Sequence, residues 1–268
     1  MPWVISMSLS SAQERAAVIL LASGTGRIAL AGGGALIAQG LVERRTSDLD
    51  GFTSAAGQEF TDIVRQARAA FSGAGYRVRD DPNAMNSDEI YSWKISEQSS
   101  PGRGRTPDEV KIQICRDVIA LPPVPTPLGQ MLDPRELGAN KVRAIYDRAR
   151  PRDLDDLARL VSRLPFDDML GVADQKQVEP LDRRMLADSL RMFQSVDGDR
   201  FPDPARAAAV KNFGATLADQ LVAGGEGRVV SPYDDQRVQP VSEPRDDDER
   251  TTLLNRLAAT MPSARSHR

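Results

Sequence analysis

The chain has 268 residues, of which 40% are hydrophobic and 27% charged, and its net charge is −3. This composition is typical of a globular protein with one large domain or one domain plus an appendage, and it excludes a uniformly basic nucleic-acid coating protein. A single cysteine (Cys115) and a single histidine (His267) exclude an internal disulfide, a cysteine-rich zinc site and histidine-dependent catalysis. Any catalysis must therefore rely on carboxylates, lysine, hydroxyl groups and a metal.

Helical and extended patterns alternate through the first 120 residues. A helix over 11–23 begins at a capping box that we assign to Ser11 and Glu14. The elements predicted after it are strands over 27–30, 45–52, 76–79, 89–95 and 109–115, helices over 34–39 and 58–72, and a mobile loop over 96–107.

The second half of the sequence is helical. Four prolines in 121–129 predict an extended connector, and helices are predicted near 134–148, 152–163, 181–194 and 203–222. The polar residues from 224 onward predict a largely disordered tail with one short helix at 251–260. No apolar stretch is long enough to cross a membrane, so we expect a cytoplasmic protein without membrane attachment.

These patterns predict an α+β fold with three parts. Residues 1–120 would form a small mixed β-sheet core with flanking helices, residues 121–223 a helical half that completes the active site, and residues 224–268 the disordered tail.

The most informative stretch is residues 30–52, LAGGGALIAQGLVERRTSDLDGF. Its glycine turn before a short helix is rich in backbone N–H groups, which suits an anion. Asp48 and Asp50 are two residues apart on a predicted strand, so their carboxylates project from the same face. Paired carboxylates of this kind bind hard divalent cations such as Mg²⁺. A phosphate cradle beside metal carboxylates favours nucleotidyl transfer.

This order of strand, glycine turn, short helix and Asp-x-Asp strand resembles the polymerase-β-like nucleotidyltransferases. A second segment, residues 134–160, contains Lys141 in a Lys-x-x-Ala helix followed by Arg152-Asp153-x-x-Asp156-Leu157. Together the two segments resemble the signatures of the AbiEii/AbiGii-type toxin nucleotidyltransferases, over roughly residues 17–165. In the first segment the matching residues are Leu30, Gly32, Gly33, Ala35, Leu36, Arg44, Thr46, Asp48, Leu49 and Asp50.

The resemblance implies specific roles for residues in both motifs. The implied catalytic residues are Asp48, Asp50, Lys141, Asp153 and Asp156; the implied nucleotide contacts are Gly32, Gly33, Arg45, Thr46 and Lys141; and the implied metal ligands are Asp48 and Asp50. The metal would be Mg²⁺ or Mn²⁺, and the substrate a nucleoside triphosphate whose NMP passes to an acceptor. The family also implies a bacterial toxin–antitoxin or phage-defence system with a cognate antitoxin, and a tRNA 3′ end as one type of acceptor.

Two departures from the family pattern keep other functions open. Gln113 stands on the strand where a third carboxylate is expected, and Gly34 replaces a threonine or serine. Either Asp153 or Asp156 compensates for Gln113, or turnover is slow, or the protein is an inactive nucleotidyltransferase fold that binds nucleotide or a partner protein. A third hypothesis is a small-molecule nucleotidyltransferase with the same metal site.

In the helical half, the role of Asp153 and the role of the arginines both remain open. Asp153 and Asp156 are predicted to share a helix face. Asp153 would align the active site, form an ion pair with Arg152, or cap its helix. The seven arginines in 135–163 form either an ordinary solvated surface or a seat for triphosphate and an RNA backbone.

Overall fold

A mixed β-sheet forms the centre of the molecule. A computed structural model describes residues 9–97, 109–224 and 229–236, and the strands in these residues form one sheet in the order β3-β4-β5-β2-β1-β7-β6. The strands are β1 (Ala29–Ala31), β2 (Asp48–Thr53), β3 (Tyr76–Asp80), β4 (Ile90–Glu97), β5 (Glu109–Arg116), β6 (Val124–Thr126) and β7 (Gly129–Met131). β2 is central, running parallel to β5 and antiparallel to β1.

Helices cover the sheet and continue as a helical half. They are α1 (Ser11–Ser23), α2 (Gly32–Ala38), α3 (Gly57–Gly73), α4 (Pro134–Arg148), α5 (Pro151–Val161), α6 (Phe166–Gln175), α7 (Arg183–Met192) and α8 (Ala207–Ala223). The predicted α+β class, with a small mixed sheet followed by helices, is confirmed. Among the described residues, no helix combines the length and apolar character needed to cross a membrane.

The two faces of β2 have different neighbours, as the strand alternation requires. Leu49, Gly51 and Thr53 are buried, whereas the residues between them are half-buried. Leu20 of α1 packs over Gly51: a Cβ added to this glycine would lie 3.3 Å from the Leu20 side chain. α1 therefore covers one face of the sheet and leaves the aspartate face for the helical half.

α6 is absent from the sequence-based prediction. Its buried residues Phe166, Met169 and Val172 have helical spacing, but the segment has only 10 residues, so its local signal is weak. Packing supplies the missing stabilisation, because a Cβ at Gly138 of α4 would lie only 2.0 Å from the Met169 sulfur atom. This close approach of α4 and α6 is a tertiary contact that local periodicity does not contain.

Several boundaries also differ from the prediction. The capping box of α1 is formed by Ser10 and Gln13, not Ser11 and Glu14, because the extended Ser10 accepts from the Gln13 backbone N–H. α2 begins at Gly32 rather than residue 34, and β2 begins at Asp48 rather than residue 45. The proline-rich connector contributes β6 and β7 to the sheet edge, where β7 pairs parallel with β1.

The segment 229–236 packs against α5, although we predicted a disordered tail from residue 224. The Ser231 hydroxyl donates to the Ala158 carbonyl at 2.6 Å, and the buried Tyr233 hydroxyl donates to Asp155. The Arg159 guanidinium lies 4.0 Å from the centre of the Tyr233 ring. The rest of the predicted tail, the helix at 251–260 and most of the loop at 96–107 lie outside the described residues.

Removing the Tyr233 hydroxyl tests this contact. We expect Tyr233→Phe to lower the free energy of unfolding by about 1.5–3 kcal/mol, because the buried Asp155 carboxylate loses a donor. Tyr146→Phe is the control, since its hydroxyl makes only a weak contact with the Met185 sulfur at 3.4 Å. Urea unfolding of both variants is the measurement, and equal effects would contradict the prediction.

Candidate active site

Asp48 and Asp50 form the floor of a cavity between the sheet and α4. Both lie on the face of β2 that α1 leaves uncovered, and both are half-buried. The Thr46 hydroxyl donates to the Asp48 carboxylate at 2.7 Å, and the strand register places Gln113 of β5 beside Asp50. Burial, followed by repulsion from Asp48, raises the pKa of Asp50 to about 6. A cation between the two carboxylates would relieve this repulsion.

The glycine turn adjoins the same floor. Gly32 has a φ of +58°, and a Cβ there would lie 2.0 Å from the Asp50 Oδ2 atom. A Cβ at Gly33 would lie 2.8 Å from an Arg44 nitrogen atom. Only glycine combines this backbone conformation with such a close approach to the carboxylate.

Two residues that the sequence suggested for the site lie elsewhere. Arg45 is exposed and does not line the cavity, whereas its neighbour Arg44 does. Gly34 is also outside the cavity wall, because a Cβ there would pack 3.1 Å from the Leu49 side chain in the core. A serine or threonine at position 34 would therefore begin its side chain toward the core. The glycine at this position does not remove a hydroxyl from the cavity wall.

Lys141 of α4 forms the opposite wall and is held by two buried carboxylates. Its ammonium nitrogen lies 3.0 Å from the Asp153 Oδ1 atom and 2.8 Å from the Asp156 Oδ2 atom. Lys141 is 8% exposed, and both aspartates of α5 are 0% exposed. The aspartates therefore lie behind the lysine and do not line the cavity themselves.

Arg44 and Arg148 complete this ionic network. The Arg44 guanidinium binds both oxygens of Asp156, each at 2.8 Å, and Arg148 binds Asp153 at 3.2 Å. Burial opposes ionisation of Asp156, but Lys141 and Arg44 overcome it and hold the pKa of Asp156 below its ordinary value. We call Arg44, Lys141, Arg148, Asp153 and Asp156 the buried ionic network.

The network corrects two hypotheses about Asp153. Its partners are Lys141 and Arg148, so the expected pair with Arg152 is wrong. It is not the N-cap either, because Arg150 occupies that position and Pro151 begins α5. The expectation that Asp153 and Asp156 share a helix face is confirmed by their common contact with Lys141.

The cavity has a volume of about 640 Å³ and a basic lining. This size is within the ordinary range of small-molecule and cofactor sites. Eight lining residues are basic and four are acidic: Arg44, Lys111, Arg116, Lys141, Arg143, Arg148, Arg150 and Arg152, against Asp48, Asp50, Asp117 and Asp147. A protein with net charge −3 thus concentrates positive charge around one cavity, which favours a polyanionic ligand.

Five of the seven arginines of residues 135–163 belong to two environments in the structure, and the other two, Arg135 and Arg163, are exposed. Arg143, Arg148, Arg150 and Arg152 line the cavity, whereas Arg159 binds Asp155 on the other side of α5. Within the described part of the chain, no ion pair is formed by Arg150 or Arg152. Both side chains are exposed, so their guanidinium groups are available to an anion in the cavity.

The donor set fits a divalent cation of the Mg²⁺ type. Mg²⁺ commonly takes one or two carboxylates and completes its coordination with water and substrate phosphates, and Asp48 and Asp50 supply such a pair. In residues 9–97, 109–224 and 229–236, no cluster of three or more histidine, cysteine or acidic residues is arranged as a metal site. Asp153 and Asp156 do not substitute for the carboxylate missing at Gln113, because both are engaged behind Lys141.

The sequence analysis named Arg44 as a residue that matches the family motif but predicted no role for it in the site. The signal was present, since Arg44 precedes Thr46 and Asp48 in the motif, but the motif does not reveal a partner 112 residues away. Only the packing of α5 against the loop before β2 brings Asp156 to it.

Comparison with known families shows the family to which the chain belongs. The family model "Nucleotidyl transferase AbiEii toxin, Type IV TA system" matches residues 17–239, which include the cavity, the buried ionic network and segment 229–236. The chain belongs to this family. It is therefore a nucleotidyltransferase of the AbiEii toxin type, as the two sequence motifs predicted. No curated protein matches its sequence.

Two solved structures align with this chain at low sequence identity. A candidate nucleotidyltransferase from H. pylori aligns with a TM-score of 0.53 and 17% identity, covering 82% of this chain and 100% of its own. JHP933 from Helicobacter pylori aligns with a TM-score of 0.48 and 14% identity, covering 94% of this chain and 100% of its own.

Neutralising Asp156 tests the buried ionic network. We expect Asp156→Asn to lower the free energy of unfolding by about 3 kcal/mol, because Arg44 and Lys141 lose a shared buried counterion. Asp188→Asn is the control and should change it by less than about 0.5 kcal/mol, since Asp188 pairs with Arg191 on the exposed surface. Urea unfolding at neutral pH is the measurement. If Asp156→Asn lowers the free energy of unfolding as little as the control does, the prediction is wrong.

The same network predicts a specific acid sensitivity. The folded-state pKa of Asp156 lies below the ordinary value of 3.8, so its stabilisation is present above pH 3.8. It is progressively lost as the pH falls from there through the folded-state pKa. We expect the stability difference between wild type and Asp156→Asn to shrink as the pH is lowered from 6 toward 3. Urea unfolding across this range measures it, and a constant difference would contradict the assignment.

Proposed function

We propose that this AbiEii-family protein is the toxin of a type IV toxin–antitoxin system and transfers NMP from a nucleoside triphosphate to an RNA acceptor, with Mg²⁺ or Mn²⁺. The observation that carries the proposal is the basic cavity with two same-face carboxylates on its floor and Lys141 opposite them. A tRNA 3′ end is the acceptor we would test first, and the cognate antitoxin is the protein partner that the family implies.

The residues around the cavity would have separate roles in the reaction. Asp48 and Asp50 would hold the metal, which neutralises triphosphate charge and polarises the α-phosphate when bound. Gly32 and Gly33 would let the phosphates approach the backbone closely. Lys141 would contact the triphosphate with an ammonium group that its two aspartates hold in place.

Asp153 and Asp156 then act as positioning residues, because they touch Lys141 and not the cavity. The exposed guanidinium groups of Arg150 and Arg152, which line the cavity, would contact the RNA backbone, whose phosphates attract basic side chains. This assignment explains why basic residues outnumber acidic ones around the cavity.

Labelled nucleotide transfer tests the proposal. The purified protein is incubated with each α-labelled nucleoside triphosphate, Mg²⁺ or Mn²⁺, and total bacterial RNA. We expect labelled RNA from wild type and at least about a 100-fold lower rate from an Asp48→Asn/Asp50→Asn double variant, because the metal ligands lose their charge. The control is Asp167→Asn/Asp168→Asn, which neutralises two exposed carboxylates on α6.

Different results of this experiment would contradict the RNA acceptor and the metal site. Label on a small molecule but not on RNA would contradict the RNA acceptor. Equal labelling by wild type and the Asp48/Asp50 variant would contradict the metal site. Nucleotide binding without any labelled product would favour the inactive binding protein that Gln113 suggests.

A further inference from the structure

One end of the cavity floor is apolar, in contrast to the carboxylate end. Along β2 the cavity-facing residues are Asp48, Asp50 and then Phe52. The strand register places Cys115 of β5 beside Phe52 and Ile90 of β4 beside Cys115. Burial raises the pKa of Cys115 to about 12, so its thiol stays neutral and this rung of the sheet carries no charge.

The helix α4 supplies both apolar and polar groups to the wall of the same cavity. Leu137 and Asn140 lie on the face of α4 that lines the cavity, one turn before Lys141 and Ala144. The rung of Phe52, Cys115 and Ile90 together with Leu137 and Asn140 is called the apolar slot below.

Asn140 is unusual because its carboxamide is buried without a partner. Neither its oxygen nor its nitrogen has a hydrogen bond within the described residues. The Nε atom of Arg143, on the same cavity wall, is also buried and unpaired, although another nitrogen of this guanidinium binds Asp117 at 3.0 Å. Buried polar groups without partners are destabilising, so a ligand in this cavity that supplied the missing hydrogen bonds would be favoured.

We infer that the apolar slot binds a nucleobase, with Phe52 contacting the ring and Asn140 contacting its polar edge. A carboxamide offers one acceptor and two donor hydrogens, and base edges present both complementary groups. The apolar ring face of a base suits the Phe52 side chain. This inference rests on the proposed function and adds the residues that discriminate between nucleotides.

The position of the slot fits the nucleotide that reacts at the carboxylates. Phe52 follows Asp50 by two residues, which corresponds to about 7 Å along a strand. A nucleoside triphosphate with its phosphates at Asp48 and Asp50 would thus direct its sugar and base toward Phe52. The terminal base of an RNA acceptor has the same chemistry, and the test below distinguishes the two sources.

Equilibrium binding tests the slot without requiring turnover. Isothermal titration calorimetry in Mg²⁺ compares inorganic tripolyphosphate, the four nucleoside triphosphates and a short single-stranded RNA. The variants are Asn140→Leu, which removes the polar edge contact, and Phe52→Leu, which keeps an apolar side chain but removes the ring. Asn212→Leu on the exposed surface of α8 is the matched control.

We expect at least one nucleoside triphosphate to bind wild type about tenfold more tightly than tripolyphosphate, and both slot variants to lose this preference. Tripolyphosphate affinity should be unchanged. Asn140→Leu should not lower the thermal unfolding midpoint, because an apolar side chain replaces an unpaired polar one. A merely structural role for Asn140 would instead lower the midpoint and leave the preference intact.

The remaining outcomes are also decisive. If the slot variants weaken RNA binding but not triphosphate binding, the nucleobase in the slot is that of the acceptor. If they weaken neither, the slot does not bind a base and the inference is overturned. If wild type binds tripolyphosphate but no nucleoside triphosphate or RNA more tightly, the inference fails while the phosphate site survives. If wild type binds none of these ligands, the proposed function fails with it.

Discussion

The buried ionic network is the interaction on which the architecture of the site depends. It joins three parts of the chain. The loop before β2, through Arg44, is distant in sequence from the consecutive helices α4, through Lys141 and Arg148, and α5, through its two aspartates. Fully buried carboxylates are costly unless they are paired and hydrogen-bonded, so the three parts must meet for the aspartates to be accommodated. The cavity between the sheet and the helical half is a consequence of this meeting.

The network also determines which carboxylates remain available for chemistry. Asp153 and Asp156 are neutralised by lysine and arginine. Asp48 and Asp50 instead face the cavity, and the Thr46 hydroxyl donates a hydrogen bond to Asp48. Their mutual repulsion is reflected in the raised pKa of Asp50. Two pairs of aspartates with similar spacing in sequence therefore have different environments, one suited to positioning a lysine and one suited to a cation.

The opposite side of α5 makes its own connection. Asp155 turns away from Lys141 and binds Arg159 and Tyr233, so segment 229–236 lies on the back of the helix that carries the two positioning aspartates. The three buried aspartates of α5 thus face two different sets of partners. A helix fixed from both sides holds Lys141 in one place, and pre-organisation of a charged group is what makes electrostatic contacts effective in catalysis.

Sequence reasoning located the elements with strong local signals and missed those that depend on packing. The glycine turn, the Asp-x-Asp strand and the Lys141 helix were predictable because alternation, glycine and helical spacing are local properties. α6 and the β6–β7 strands were not, because the close approach of Gly138 to Met169 and the pairing of β7 with β1 are formed between distant segments. Segment 229–236 was missed for the same reason, since its polar sequence is held by contacts with distant residues, such as Ser231 with Ala158 and Tyr233 with Asp155.

By itself, the sequence determined the fold class, the family and the residue types of the site, because motif spacing fixes which side chains share a strand or helix face. Only the tertiary structure decided that Asp153 and Asp156 are buried behind Lys141 and that Arg44 rather than Arg45 lines the cavity. It also decided that the unpaired Asn140 and Phe52 line the same cavity. These facts depend on which distant segments come into contact, and burial and ion pairing follow from that contact rather than from any local pattern.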